Sequence, residues 1–341
     1  MEKSYEDVWN GQEDGAPMAR IKDVAREAGV AASTVSLVLN KKGYVSEATR
    51  QKVEAAMKKL NYIPSDVARN LSLSRTQTIG VILPSLSHPF FGELAEELEA
   101  ALYHLDYKMM ICCTQAKENS ERDFVDMLRR RTMDGIIMGA HSLDLSIYDG
   151  LDQPIIAFDR IINPRIPIVH CDHRRGGQLA AEAFLRAGCG RIADIIGYQG
   201  VHSPAHEYHR AFRTIMEAYG VEVHVIELPW NAFGYADFLQ TAERLFAEYP
   251  AVDGIFGADM VVAACQHSAV ARGYRIPEKL KLIAYDGTSF TRTGAQPITA
   301  VRQPIRQLAR LAAEKIVRRV KGETDDLPCT CEPELIERET C

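Results

Sequence analysis

The chain has 341 residues, of which 46% are hydrophobic and 25% are charged, and its formal net charge at pH 7 is −6. This composition is typical of a globular protein, and the length predicts two or three folding units rather than one. No apolar run approaches the roughly 18 residues that a membrane-spanning helix needs, so no membrane partner is expected.

The first segment, residues 1–17, holds five Asp and Glu against one Lys. A signal peptide would have a basic start and an apolar stretch, and this segment has neither. We therefore expect an acidic disordered leader and a cytoplasmic protein. The eight cysteines are scattered without a C-x-x-C pair, which favours free thiols over a zinc site. No metal and no cofactor are expected.

Charge is unevenly distributed along the rest of the chain. Residues 18–78 carry eleven Lys and Arg against five Asp and Glu, a net charge of +6. From residue 79 onward the net charge is −8. A basic head on an acidic body indicates that the head, rather than the body, meets a polyanion.

Three short helices are predicted in the basic head. The first spans 21–28 and ends at Gly29, the second spans 33–40, and the third spans 47–60 and is entered through Ser46. Two short helices joined by a tight glycine turn and braced by a third form a helix-turn-helix. Spacing alone leaves a three-helix bundle without a DNA role as an equal alternative.

The residues of the head closely resemble the DNA-binding domain of the lactose/galactose-repressor (LacI/GalR) family. The match runs ungapped through IKDVAREAGVAASTVS at 21–36, continues through LNYIP at 60–64 and includes VARNL at 67–71. The resemblance implies a DNA-binding domain at 18–64, followed by a hinge helix and linker at 65–77.

By this resemblance, the base-facing positions of the recognition helix are Ala32, Ser33 and Leu37. Relatives often have a long polar residue at position 37, whereas a leucine offers only apolar contact, for example to a thymine methyl group. Phosphate-contacting positions are implied at Asn40, Tyr44, Ser46 and Thr49. The hinge helix is implied to enter the minor groove, with Ala68 and Leu71 at the DNA and Leu71 as the wedge between base pairs.

From residue 78 onward, short apolar β-runs alternate with helical segments. The predicted strands lie at 79–83, 108–112, 135–138, 154–158, 192–196, 223–228, 254–256 and 281–285. The predicted helices lie at 91–105, 118–131, 177–187, 208–219, 235–249 and 260–271. This alternation predicts an α/β fold of doubly wound parallel sheets.

The alternation of strands and helices starts again near Gly176, which indicates two linked lobes. We expect lobe 1 at about 78–170 and 303–322, and lobe 2 at about 171–302 and 323–341. Ligands of such sheets bind at the carboxyl ends of the strands, so the site is expected in the cleft between the lobes.

The body has no sequence motif of a familiar enzyme. No strand runs into G-x-G-x-x-G, and there is no P-loop or nucleophile elbow. The three histidines His202, His206 and His209 fall in a loop and the following helix, where solvated or ligand-facing roles are favoured over a metal site. We therefore expect a binding protein rather than an enzyme.

The resemblance to the family extends over the body and implies a two-lobed core like that of periplasmic binding proteins. The stretches SHPFFGEL at 87–94, IAFDR at 156–160 and YDGT at 285–288 look specifically like sucrose-operon repressors. Two departures are Tyr208, where many relatives have arginine, and Ala258, where many have asparagine. The family's effector-facing positions fall on Phe90, Phe91, Asp159, Asp172, Tyr208, Trp230, Asp259, Asp286 and Gln303.

Arg160, next to Asp159, is a further candidate because a guanidinium matches a phosphate group bidentately. Carboxylates accept hydroxyl hydrogen bonds, and a flat aromatic ring covers the C–H face of a sugar. On spacing alone, each carboxylate is equally compatible with a helix-cap or turn role.

The resemblance therefore implies a homodimeric repressor of carbohydrate-utilisation genes. It would bind near-palindromic double-stranded operator DNA with its recognition helices roughly 34–36 Å apart. Its effector would be a sugar or sugar phosphate, of sucrose or fructose type. Two alternatives stay open: a catabolite-type regulator triggered by a protein partner, and a sugar-binding transport component, which would need a secretion signal and no DNA head.

Overall fold

A computed structural model describes residues 19–40, 43–64, 75–115, 120–140, 144–201, 203–230 and 232–341. The chain divides into two compact units, Met1–Thr76 and Gln77–Cys341. The first holds the basic head and the second holds the alternating body, and each is described by itself.

The described part of the first unit contains three helices, which begin and end within a residue of the predicted bounds. They are α1 (Ile21–Ala28), α2 (Ala32–Leu39) and α3 (Glu47–Lys59). Gly29 ends α1 at a φ of 67°, in the left-handed region that glycine adopts most easily. The core of this unit is formed by side chains from all three helices: Val24, Ala25, Val35, Val38, Val53 and Ala56.

The second unit contains two six-stranded sheets, one in each lobe. The strands are β1 (Thr78–Leu83), β2 (Lys108–Cys113), β3 (Gly135–Met138), β4 (Ile155–Phe158), β5 (Ile168–Cys171), β6 (Arg191–Ile196), β7 (Glu222–Glu227), β8 (Gly254–Ala258), β9 (Lys281–Asp286), β10 (Thr299–Arg302), β11 (Thr330–Cys331) and β12 (Glu334–Ile336). Their orders are β11-β5-β4-β3-β1-β2 in lobe 1 and β12-β10-β9-β8-β6-β7 in lobe 2. All pairs are parallel except β10–β12, which confirms the doubly wound architecture.

Helices cover both faces of each sheet. They are α4 (Pro89–His104), α5 (Ser120–Arg129), α6 (His173–Arg186), α7 (His206–Ala218), α8 (Tyr235–Glu248), α9 (Asp259–Ala271) and α10 (Ile305–Lys321). Helices α4 and α10 pack on one face of the lobe 1 sheet and α5 on the other. In lobe 2, α8 and α9 cover one face and α6 and α7 cover the other. The buried strands therefore read as continuous apolar runs.

Two boundaries differ from the sequence prediction. Strand β11 pairs with β5, so Thr330 and Cys331 belong to the sheet of lobe 1, although lobe 2 was expected over 323–341. Helix α6 begins at His173 rather than 177, because Asp172 caps it by accepting a hydrogen bond from the backbone N–H of Arg175 at 2.9 Å. Across the described ranges, no helix is both long and apolar enough to cross a membrane.

Candidate functional site

The outer face of the head presents the predicted base-facing residues. Ser33 and Leu37 on α2 are exposed, Leu37 at 40%, and Ala32 is half-buried. Val35 and Val38 point to the opposite side and fill the core. Tyr44, in the turn after α2, is 95% exposed. This face is polar at Ser33 and apolar at Leu37, and its contact with base edges in a major groove stays a prediction.

Three residues predicted to contact phosphates also form hydrogen bonds within the first unit. The hydroxyl of Ser46 caps α3 by accepting a hydrogen bond from the backbone N–H of Thr49 at 3.3 Å, and the two hydroxyls lie 2.8 Å apart. Asn40 donates its amide N–H to the hydroxyl of Ser36 at 3.2 Å. Ala68 and Leu71 lie outside the described residues, so their DNA contacts stay predictions.

A pocket of about 210 Å³ lies in the second unit, at the carboxyl ends of lobe 2 strands. Gly197 follows β6, Trp230 follows β7, and Ala258 ends β8. Tyr208 and Trp230, both predicted effector positions, line it. The aromatic and imidazole groups of its lining are Tyr198, Tyr208, Trp230, Phe233, Phe238, His88, His206 and His209.

Two aromatic pairs include rings that line this pocket. The ring of Tyr208 stacks on that of Tyr285, with centroids 3.6 Å apart and planes inclined by 7°. Trp230 is 41% exposed and meets Tyr198 edge-on at 5.5 Å. Such faces suit the C–H face of a sugar ring.

Sequence reasoning missed His88 and left the roles of His206 and His209 open. Among the described lining residues, His88 alone comes from lobe 1, where it precedes α4. Its Nδ1 atom is buried without a hydrogen-bond partner. Burial lowers the pKa of His88 to about 4, so the ring is neutral at pH 7. His88 falls within the SHPFFGEL stretch, which was its only signal in the sequence.

Asp159 joins the lobes instead of lining the pocket. Its carboxylate lies 2.8 Å from Nε2 of His173 at the start of α6, and Nδ1 of the same ring lies 2.8 Å from the hydroxyl of Tyr285. The backbone carbonyl of Asp159 accepts a hydrogen bond from the hydroxyl of Ser203 at 2.7 Å. Residues of both lobes thus meet at the end of β4, next to Tyr285 of the tyrosine stack.

The remaining predicted carboxylates also have protein partners. Asp259 accepts hydrogen bonds from the backbone N–H groups of Gly287 and Thr288 and from the hydroxyl of Thr288, at 3.0, 2.8 and 2.6 Å. Asp286 accepts from the side chain of Gln303 at 2.8 Å. Burial raises the pKa of both carboxyl groups, that of Asp259 to about 7. Asp172 serves as the cap of α6.

Three predicted effector residues lie in the interior of lobe 1, and their contact with a ligand stays a prediction. Phe90 and Phe91 are buried in the core that α4 forms with the sheet. Arg160 is 1% exposed and forms an ion pair with Glu121, which also accepts the hydroxyl hydrogen of Tyr148. A phosphate group could reach this guanidinium only by breaking a buried ion pair, which costs several kcal/mol.

The lining of the pocket is largely aromatic and apolar, with three histidines. In the described ranges, no Lys, Arg, Asp or Glu lines it. No group of three or more His, Cys, Asp or Glu in those ranges is placed to hold a metal ion. Flat aromatic faces beside a few ring nitrogens and hydroxyls suit a small polar ring compound.

Comparison with known proteins matches both units. A family model of bacterial regulatory proteins, lacI family, matches residues 20–65, and a model of periplasmic binding protein-like domains matches residues 181–341. The sucrose operon repressor of Streptococcus mutans is 37% identical over 304 residues, which cover 89% of this chain and 93% of the relative. The ribose operon repressor of Halalkalibacterium halodurans is 35% identical over 326 residues, covering 95% and 97%.

A solved structure of the lac repressor dimer bound to operator and the anti-inducer ONPF has a similar fold. Its TM-score is 0.83 at 22% identity, and the match covers 94% of this chain and 98% of that one. The similarity therefore extends over the head and both lobes.

Proposed function

This chain belongs to the LacI family of bacterial regulatory proteins, and from that premise we propose that it is a repressor of carbohydrate-utilisation genes. Two copies bind near-palindromic operator DNA through their heads, in the cytoplasm. A small sugar in the lobe 2 pocket changes the affinity for the operator. By linkage, operator and sugar must alter each other's affinity by the same factor.

One observation carries this proposal: the same chain holds an exposed face on α2 at Ser33 and Leu37 and a strand-end pocket whose lining includes the rings of Tyr208 and Trp230. The first suits a major groove and the second suits a sugar ring. Two similar repressors are named for sucrose and ribose operons. We therefore place the effector among small sugars of the sucrose, fructose and ribose type, and Arg160 does not favour a phosphorylated one.

Replacement of Trp230 tests this site. Trp230→Ala should weaken sugar binding by about 1–3 kcal/mol, because it removes a large aromatic face, while operator affinity without sugar stays unchanged. Calorimetry with sucrose, fructose and ribose, paired with an operator-binding assay, measures both. Tyr219→Ala is the control, since Tyr219 is 73% exposed and does not line the pocket.

Two results would contradict the proposal. Equal affinities in the Trp230 and Tyr219 variants would mean that the sugar binds elsewhere. If no sugar binds or alters operator affinity, a regulator of the same fold triggered by a protein partner becomes the better explanation.

A further inference from the structure

A buried carboxylate interrupts an otherwise apolar strand beside the pocket. Asp194 lies in β6, where Ile192, Ala193, Ile195 and Ile196 are all buried, and its own exposure is 0%. A buried charge in a sheet weakens the fold unless its partners offset the loss of water. A residue that breaks the local pattern of a core strand in this way points to a functional requirement.

The partner of Asp194 is a histidine of the pocket wall. Oδ1 of Asp194 lies 2.6 Å from Nδ1 of His209 on α7, and His209 is 2% exposed. Oδ2 of Asp194 has no hydrogen-bond donor and lies 3.8 Å from Nη1 of Arg213. Tyr208 contacts the same ring, with centroids 3.9 Å apart. Asp194 and Arg213 are therefore the charged groups that face this imidazole.

This hydrogen bond determines what the imidazole offers to a ligand. A carboxylate only accepts hydrogen bonds, so Nδ1 of His209 must be the donor. In the neutral ring the proton then resides on Nδ1, and Nε2 keeps its lone pair. Nε2 makes no hydrogen bond with a described residue, and the ring lines the pocket.

We propose that His209 is a ligand-binding residue, held in one tautomer by Asp194, and that its Nε2 accepts a hydrogen bond from a hydroxyl of an uncharged ring-shaped ligand. The assignment rests on the proposed function, and it narrows the effector to a neutral sugar. Asp194 is the positioning residue: it does not touch the ligand, and it sets which ring nitrogen can accept.

The same arrangement disfavours a phosphorylated ligand. When Nε2 of His209 carries no proton, phosphate oxygens, which are acceptors, face its lone pair without a proton between them. No lysine or arginine of the described lining could compensate, and Arg160 is paired with Glu121 inside lobe 1. A hydroxyl, in contrast, donates to Nε2 and needs no counter-charge.

Two substitutions separate binding from folding. The amide nitrogen of asparagine occupies roughly the place of Nδ1, so His209→Asn keeps the hydrogen bond to Asp194 and removes the pocket-facing nitrogen. Glutamine reaches roughly the place of Nε2, so His209→Gln keeps a polar group at the pocket and leaves Asp194 without its donor. We expect His209→Asn to lose about tenfold in affinity with little change in melting temperature. His209→Gln should show a lower melting temperature and a smaller loss of affinity.

The full-length chain can be used with sucrose and sucrose 6-phosphate as probes. The chain has two tryptophans, so Trp9→Phe leaves Trp230, in the pocket wall, as the fluorescent reporter. Long-range ¹⁵N–¹H spectra of labelled histidine report the tautomer of His209 without any ligand. We expect a proton on Nδ1 only, a shift of the Nε2 signal on addition of sucrose, and no tighter binding of the phosphate.

Each contrary result has a distinct meaning. A proton on Nε2 in the free protein, or an Nε2 signal that sucrose leaves unmoved, overturns the assignment of His209. If sucrose 6-phosphate binds more tightly and shifts operator affinity, this assignment fails and the proposed function stands. If neither compound binds, fructose and ribose are titrated next, and the sugar-responsive part of the proposed function fails only if these sugars also neither bind nor alter operator affinity.

Discussion

At the residue scale, Arg160 shows that the neighbours of a side chain decide its role. Next to Asp159 in the sequence, it is a natural candidate for holding a phosphate. In the fold it lies inside lobe 1, paired with Glu121, with its guanidinium 5.7 Å from the ring of Tyr148. A buried ion pair is costly to break, because the remaining charge loses both water and partner. This pairing favours a structural role for Arg160.

Removing one member of this pair should destabilise the protein strongly. We expect Arg160→Met to lower the free energy of unfolding by about 3–5 kcal/mol, and the double variant with Glu121→Leu to recover part of that loss. Urea denaturation measures both. Arg122→Met is the matched control, since its ion pair with Asp144 is about half exposed and should contribute less than about 1 kcal/mol. Equal losses in Arg122→Met and Arg160→Met would contradict the buried-pair assignment.

The raised pKa of Asp259 should make the stability of the protein depend on pH. Burial raises the pKa of its carboxyl group from 3.8 to about 7, although three hydrogen bonds to the loop after β9 oppose the shift. Between these values the folded state holds a proton that the unfolded state releases, so this group's contribution to the free energy of unfolding falls as pH rises.

Asp259→Asn should therefore flatten the fall in stability between about pH 4 and pH 7, because an amide does not titrate. Urea denaturation of both proteins across this range provides the test. The charge of Asp259 also raises the pKa of the Asp286 carboxyl group, so the comparison is made in an Asp286→Asn background, where the titration of Asp259 alone differs. Parallel profiles for the two proteins would show that Asp259 is already ionised in the fold at low pH.

At the element scale, the close packing of α6 and α7 positions Tyr208, which lines the pocket. A Cβ atom added at Gly177 on α6 would lie 2.1 Å from the backbone oxygen of Tyr208 on α7. Real atoms do not approach so closely, so only glycine permits this separation of the helices. The stack of Tyr208 on Tyr285 depends on this separation, since Tyr208 lies on α7.

Gly177→Ala should force these helices apart. We expect a loss of about 1–3 kcal/mol in the free energy of unfolding, together with weaker sugar binding as Tyr208 is displaced. Gly190→Ala serves as the control, because its added Cβ meets nothing nearer than 3.7 Å. Thermal unfolding and calorimetry on both variants measure the two effects. A Gly177 variant that matches the Gly190 variant in stability and affinity would refute this account of the helix contact.

At the scale of the whole molecule, the DNA-binding head and the pocket differ in charge. The basic head, with a net charge of +6 over residues 18–78, meets a polyanion. The pocket of the second unit has no charged side chain among its described lining residues. DNA binding and sugar binding should therefore respond differently to ionic strength.

Operator affinity should fall steeply as salt rises, because each neutralised phosphate releases counterions. Sugar affinity should stay nearly constant over the same range. Operator titrations and calorimetry at salt concentrations from about 50 to 200 mM make the comparison. A flat log–log plot of operator affinity against salt would reject a phosphate-dominated interface, and a steep one for the sugar would indicate a charged ligand.

The amino-acid sequence by itself determined the kind of protein and its elements. Apolar spacing placed most helices and strands within a few residues, because local periodicity follows directly from helix and strand geometry. It did not predict α10 or the strands β5, β11 and β12. The run from Ile21 to Ser36 identified the head, and the alternation of strands and helices placed the ligand at strand ends. Tyr208 and Trp230 were predicted in this way, and both line the pocket.

Only the tertiary structure decided which side chains are free to meet a ligand. Asp159, Asp259 and Asp286 find partners far away in the sequence, in His173, Thr288 and Gln303. Arg160 turns into lobe 1, while His88 and His209 reach the pocket from different lobes. Hydrogen bonding and burial depend on contacts between distant segments, and a linear pattern of residue types contains no record of those contacts.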